Sequence, residues 1–451
     1  MTWHKSYQNF LRLKNNNSYN HITNSIVADD SNNIYFATEG GVVNRVDKSG
    51  NVSEIFKIDN VKDNINYTVK SLFFCEPSLL FIGTINKGII VFDVKKEKVV
   101  KNYFPKYLNN YLKNTTIYEI KKDFKGNLYI GCFSKGLVKF NLNTKLFNTY
   151  NRPKIATNIV KSIAIDRNNN LVIGGMGGVS IINVDNKGRF KVKNYFKKNP
   201  LITYNISCVF IDSNNVIWAG STTRGLFMFD GKGFKKANIS HKDRFSKVNS
   251  ILEGNKGVLW ISTDKGIVKY NSTINKSFTY SQNVIESNSF RENSGLKLGD
   301  NFYFGDLYGI KVFNPKKIIR IKEVPKVVLS KLKIKNEVVN INDNTGILSK
   351  NLNYTDALEL DYINSNFSIS YALPNYINSK ENRYAYRLKG LDDSWTFTKQ
   401  TEAFFTLQDA GKYTFQVKAA NHDNVWGRKI TNLKIVIQPA PWKTWWAYLI
   451  Y

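Results

Sequence analysis

The stretch Ile206-Ser207-Cys208-Val209-Phe210-Ile211-Asp212-Ser213-Asn214-Asn215-Val216-Ile217-Trp218-Ala219-Gly220, followed by Gly225-Leu226-Phe227-Met228-Phe229-Asp230, decides the fold. An apolar run ends in a polar turn led by Asp. A second apolar run carries an aromatic, and a glycine opens a third. Three short β-prone segments separated by Asp/Asn and Gly turns read as a meander of antiparallel strands. Residues 248–260 with Gly266-Ile267-Val268-Lys269-Tyr270 repeat the pattern. The glycines that open the third strand are Gly41, Gly88, Gly136, Gly178, Gly225, Gly266 and Gly309, with separations of 47, 48, 42, 47, 41 and 43 residues. Blades of four-stranded propellers repeat every ~40–50 residues. The expected fold is therefore all-β, with a seven-bladed β-propeller over residues 1–320. Closure into a ring removes exposed sheet edges.

The second strand of each copy places Tyr35, Phe81, Tyr129, Val172, Trp218, Trp260 or Tyr303 at one repeat position. Packing between blades accounts for such a ladder better than ligand stacking. Fourth strands are weaker and are placed at 102–104, 147–150, 194–196 and 278–280. The seventh copy lacks one after Phe313-Asn314-Pro315, and the segment 9–13 is expected to supply it. The period stops near Pro325. Short alternating segments at 367–371, 384–388, 403–407, 413–419 and 433–437 then predict an immunoglobulin/fibronectin-like β-sandwich over 321–438. Residues 439–451, with Trp442, Trp445, Trp446, Tyr448 and Tyr451, resemble an aromatic belt at a bilayer surface. They are read as a juxtamembrane segment at the start of a transmembrane helix.

The chain is strongly basic, with 65 Lys+Arg against 35 Asp+Glu and a formal charge of +30. Most of that excess lies before residue 321. With 42% hydrophobic and 14% aromatic residues, an intrinsically disordered chain is excluded. Cys75, Cys132 and Cys208 sit in apolar strands, too scattered for a disulfide framework or a zinc site. The four histidines, His4, His21, His241 and His422, are dispersed, and no HExxH, GxSxG or Walker pattern is present. Asp123, Asp166 and Asp212 recur in the inter-strand turn, where they serve the turn itself. Neither metal nor cofactor is expected.

The repeats resemble the two-component regulator propeller repeat, whose core reads roughly D-x-x-G-x-L-W-I-G-T-x-x-G-L. The nearest copies are Asn127-Leu128-Tyr129-Ile130-Gly131 with Gly136-Leu137, and Val258-Leu259-Trp260-Ile261-Ser262-Thr263 with Gly266-Ile267. The segment from Gly299 to Pro315 resembles the terminal repeat. The sandwich is similar to the triple-tyrosine (Y_Y_Y) domain that follows such propellers. Its marks are Tyr384-Ala385-Tyr386-Arg387-Leu388-Lys389-Gly390-Leu391-Asp392, Gly411-Lys412-Tyr413-Thr414-Phe415 and Pro441-Trp442-Lys443-Thr444-Trp445-Trp446.

The resemblance implies the periplasmic sensor region of a membrane-bound two-component regulator, as in hybrid sensors of Bacteroidetes. It further implies a histidine kinase beyond residue 451, an oligosaccharide ligand and a homodimer. The best-known glycan sensors carry two propellers, whereas seven repeats make one. Either a propeller precedes this chain or it is a one-propeller member, and the family's ligand site does not transfer. The chain itself is not expected to be an enzyme or to bind nucleic acid. A propeller lyase and a protein-binding scaffold remain the alternatives.

One candidate site comes from the repeats alone. A basic residue precedes the repeat glycine in four copies, as Lys87, Lys135, Arg224 and Lys265. Equivalent turns emerge on one propeller face, so these charges would form an interrupted ring that favours an anionic ligand. The competing reading is a Lys-rich composition with no binding role.

Overall fold

The computed structural model describes residues 11–13, 21–58, 68–185, 188–195, 205–240, 244–281, 285, 287, 289–318, 324–375, 379, 382–421 and 425–443. The chain divides into two compact units, Met1–Ile318 and Ile319–Tyr451.

Among the described residues the first unit holds seven four-stranded antiparallel sheets, numbered here as blades in chain order. Blade 5 is typical, with strands Ile206–Ile211, Ile217–Ser221, Leu226–Phe229 and Phe234–Lys236. Its turn after the inner strand shows how an Asp and an aromatic of the repeat act together. The backbone N–H groups of Asn214 and Val216 donate to Asp212 Oδ1 at 2.9 Å, and Trp218 Nε1 donates to Asp212 Oδ2 at 2.9 Å. Burying the indole would otherwise orphan its N–H. Blade 3 repeats the device, with Tyr129 Oη donating to Asp123 Oδ2 at 3.0 Å, and blade 1 with Tyr35 and Asp29 at 2.9 Å. All seven residues of the second-strand ladder are buried, as blade-to-blade packing requires.

Consecutive inner strands pack side by side around the unit. Thr23–Ala28 of blade 1 touches both Val69–Cys75 of blade 2 and Phe290–Leu298 of blade 7, so the ring closes. Closure is tight enough to demand glycine. A Cβ on Gly305 would lie 2.5 Å from the Thr23 carbonyl oxygen, and one on Gly131 would lie 2.7 Å from that of Val160. Leu11–Leu13 pairs antiparallel with Gly309–Phe313, so the first described residues of the chain supply the outer strand of blade 7.

The outer strand of blade 2 differs from the expected 102–104; it is Lys98–Val99. Asn102 adopts φ 57°, which breaks the extended run. Phe104 turns into the core instead, 5.6 Å from Phe81 and 5.4 Å from Phe140. Pro105 then caps a short helix, Lys106–Leu112, that the periodicity did not foretell. In blade 4 the outer strand is Phe190–Tyr195.

The second unit is a two-sheet sandwich. One sheet orders Glu337–Val338, Val328–Ile334, Asn366–Ala372 and Glu402–Thr406. The other orders Ala357–Leu360, Thr431–Ile437, Gly411–Ala420, Arg383–Lys389 and Asp392–Thr398, with its first pair parallel. Leu332, Ile369, Tyr371, Phe415, Val417 and Ile435 lie in its core. Tyr371 stands 5.1 Å from Tyr384 and 6.3 Å from Tyr386, and burial raises its phenol pKa. Trp442 is exposed and meets Tyr362 edge-on at 5.1 Å. The rest of the aromatic segment, 444–451, lies outside the described residues. Among those described, no helix is long and apolar enough to cross a membrane.

Candidate functional site

The pairing register fixes which parts of the first unit share a face. Thr23 pairs with Thr38, Val69 with Thr84, Ile117 with Cys132, Val160 with Gly175, Ile206 with Ser221 and Val248 with Thr263. The start of every inner strand therefore lies beside the end of its second strand. The second-to-third turns that hold Lys87, Lys135, Arg224 and Lys265 open on that same face.

In blades 1–6 the inner strand carries one extra residue just after its first, a β-bulge at Asn24, Lys70, Tyr118, Lys161, Ser207 and Asn249. A bulge frees its extra residue from the ladder and re-aims its side chain. Blade 7 goes further. Phe290 pairs with Asp306 and Gly295 with Phe304, so residues 291–294 face Gly305 alone. This widened bulge crosses the axis. Asn293 Nδ2 donates to the Lys161 carbonyl at 2.8 Å, and Lys161 Nζ meets Glu292 at 2.8 Å. On the other side Arg291 donates to Asn24 Oδ1 at 3.0 Å and to Glu39 at 3.1 Å.

The bulge thus lies between two cavities. The lower, about 410 Å³, takes Asn293 and Gly295 into a wall that includes Glu119, Ser162, Cys208 and Ser250. The upper, about 360 Å³, opens among Asn24, Glu39, Lys70, Tyr118, Lys161, Lys247, Arg291 and Glu292. Small-molecule sites commonly measure about 300–1,000 Å³. Four cations face two carboxylates in this upper mouth. Glu292 and Glu39 are bound to Lys161 and Arg291. Lys70 is half-buried beside the Tyr118 ring, 5.9 Å from its centroid, with no carboxylate in ion-pair distance among the described residues. Burial first, then the charge of Arg291, pushes its ammonium down to about 8. Burial also raises the Tyr118 phenol.

None of the four turn residues lines this cavity. The Lys87 backbone N–H donates to Thr84 Oγ1 at 3.1 Å, and that of Lys265 to Thr263 Oγ1 at 3.1 Å. Arg224 and Lys265 are exposed. Lys135 is engaged at the end of the helix Lys106–Leu112, where its ammonium donates to the carbonyls of Tyr111 and of Lys113, the latter at 2.8 Å. The mouth residues were missed because a bulge is a matter of register. A signal exists all the same. Aligned inner strands read Thr23-Asn24-Ser25, Val69-Lys70-Ser71, Val160-Lys161-Ser162 and Val248-Asn249-Ser250, with a polar residue between a β-branched one and a serine.

The cysteines are buried, and desolvation pushes the Cys132 and Cys208 thiols to about 12, out of reach of thiolate chemistry. Among the described residues no cluster of His, Cys, Asp and Glu is suited to a metal. His4, His241 and His422 lie outside them.

Residues 375–438 match the Y_Y_Y domain family. The whole chain is 34% identical over 465 aligned positions to histidine kinase P4 of Formosa agariphila, and spans 34% of that protein's length. In fold it is similar to the extracellular domain of the hybrid two-component system BT3049 from B. thetaiotaomicron, at 22% identity and a TM-score of 0.77. That match covers 96% of this chain and 58% of the other. Virginiamycin B lyase from Staphylococcus aureus is similar in fold over 67% of this chain and 97% of its own, at 12% identity and a TM-score of 0.51.

Proposed function

We propose that this chain, a propeller joined to a Y_Y_Y domain, is the ligand-sensing extracytoplasmic region of a membrane-bound two-component regulator. The observation that carries the reading is the pairing of the two units. The fold of a hybrid sensor's extracellular domain matches 96% of the chain, while its 34%-identical relative is a histidine kinase about three times as long. The kinase accordingly belongs to another part of the same protein, and this region sits on the periplasmic side of the inner membrane. Its ligand is an oligosaccharide, admitted at the propeller face where the inner strands begin. It works as a homodimer, in which the sandwich passes a change of state towards the membrane. A ligand shifts such an equilibrium only by its differential affinity for the two states.

The lyase likeness covers the fold alone and leaves out a third of the chain. A lyase needs a general base and an acid in one pocket. His21, the one described histidine, does not line the upper cavity. Calorimetry of residues 1–451 against oligosaccharides from partly depolymerised polysaccharides tests the reading. Saturable binding supports it. Binding of a protein partner with no saccharide bound would favour a scaffold.

A further inference from the structure

Resting on that sensor reading, we propose that the upper mouth of the propeller is an oxyanion site. It takes one charged substituent of a sugar, a uronate carboxylate or a sulfate ester, with Lys70 as principal contact and Lys161 and Arg291 as flanking charges. Lys70 and Lys161 are the extra residues of two inner-strand bulges, and Arg291 belongs to the widened bulge of blade 7. At four of the six equivalent bulges the extra residue, Asn24, Lys70, Tyr118 or Lys161, lines the upper mouth, and the enlarged bulge of blade 7 adds Arg291 and Glu292.

The charges around the axis do not balance. The two acids of the mouth are committed, Glu292 to Lys161 at 2.8 Å and Glu39 to Arg291 at 3.1 Å. Asn24 fixes Arg291 further, and its own amide donates to the Val69 carbonyl at 3.0 Å. The flanking cations are therefore held before any ligand arrives, which lowers the entropy cost of capture. Lys70 has the Tyr118 ring beside it, and the pull of Glu292 and Glu39, each already paired with another cation, does not offset its burial and the repulsion of Arg291 and Lys161. A half-buried ammonium with no carboxylate in ion-pair distance among the described residues is costly, and an entering oxyanion both pairs it and screens it from Arg291 and Lys161.

The cavity also has a floor. Asn293 ties the blade 7 bulge to blade 4, so a ligand enters from one end and seats a terminus. At about 360 Å³ the space suits the charged end of an oligosaccharide rather than a stretch of its middle. Carboxylate and sulfate share the recognition chemistry used here, an oxygen-rich anion accepting from ammonium and guanidinium donors.

The test is calorimetry of residues 1–451 with three probes: digalacturonate, a sulfated galactose disaccharide and neutral galactobiose. The proteins are the wild type, Lys70→Met and Lys70→Arg. At least one charged disaccharide should bind, and galactobiose more weakly by about tenfold or more. Lys70→Met should weaken the charged sugar by about tenfold or more and erase the difference from galactobiose, with Lys70→Arg retaining part of it. The charged probe that binds identifies the source of the anion. Should Lys70→Met fail to fold, the wild type at about pH 7 and about pH 9.5 serves instead, because Lys70 loses its proton between them. The groups facing it are Glu39, Tyr118, Lys161, Lys247, Arg291 and Glu292, and its own ammonium is pushed down to about 8. Equal affinity for galactobiose, unchanged binding in Lys70→Met, or no binding of either charged sugar would overturn the site. Galactobiose binding alone would leave the sensor reading standing, and that reading fails separately if no saccharide changes phosphorylation by the full-length protein.

Discussion

Replacing Lys70 with methionine should make the protein more stable at neutral pH, even as it damages the site. Methionine keeps the length and the apolar stem of the side chain and removes only the ammonium. That ammonium is pushed from its ordinary 10.5 to about 8 by burial, then by Arg291 and Lys161, against the upward pull of Glu292 and Glu39. A fall of that size corresponds to about 3 kcal/mol of preference for the neutral amine. The side chain is half-buried, so water screens part of this, and about 1–2 kcal/mol should survive as a gain in the variant. The pH dependence follows from the two protonation states. Below about 8 the lysine is charged whether folded or unfolded, and the folded state bears the full cost. Between about 8 and 10.5 the folded protein sheds the proton that the unfolded chain still holds, so wild-type stability rises relative to the variant. Urea unfolding of both proteins across that range, followed by tryptophan fluorescence, measures the gap. It should be largest near neutrality and close towards the upper limit. A variant less stable than wild type at neutral pH, or a gap indifferent to pH, would refute the argument that an uncompensated cation is held at the mouth.

Three further outcomes are expected. Gly131→Ala places a methyl 2.7 Å from the Val160 carbonyl oxygen and should lower stability by roughly 1–3 kcal/mol, read as a drop in the thermal midpoint. Changing Lys87, Lys135, Arg224 and Lys265 together to Gln should slow association with an anionic sugar and flatten its salt dependence, while discrimination against a neutral sugar persists through Lys70. Unchanged affinity and salt dependence would leave composition as the whole meaning of those charges. Cysteine crosslinking between sandwich units of the full-length protein should give different patterns with and without ligand. Identical patterns in a protein that still signals would make the sandwich a passive spacer.

What the sequence revealed, and what it hid, follows from how each feature is built. The Asp212–Trp218 unit was legible because it is local, a turn acid six residues before a buried aromatic, and it recurs as Asp123–Tyr129 and Asp29–Tyr35. Inner and second strands were legible because neighbouring blades cover both their faces and leave near-continuous apolar runs. Outer strands have one face in water. Val52–Lys57 alternates weakly and Lys98–Val99 is short and exposed, so neither announces itself. Phe104 reads as a strand residue from its neighbours but fills the core ahead of a short helix. In the sandwich, Asp392–Thr398 is an exposed edge strand and went unread. The mouth was the least legible part. Charge in a turn is visible in a sequence, whereas Lys70 and Lys161 differ from other strand lysines only by a one-residue register slip in the backbone.

A sensor should capture an oligosaccharide and leave it intact. Native mass spectrometry of residues 1–451 with an oligosaccharide pool, before and after prolonged incubation, distinguishes capture from turnover. A saturable complex whose bound sugar keeps its mass throughout is expected. Shortened, unsaturated fragments accumulating in the pool, or no sugar complex from any charged pool, would contradict it.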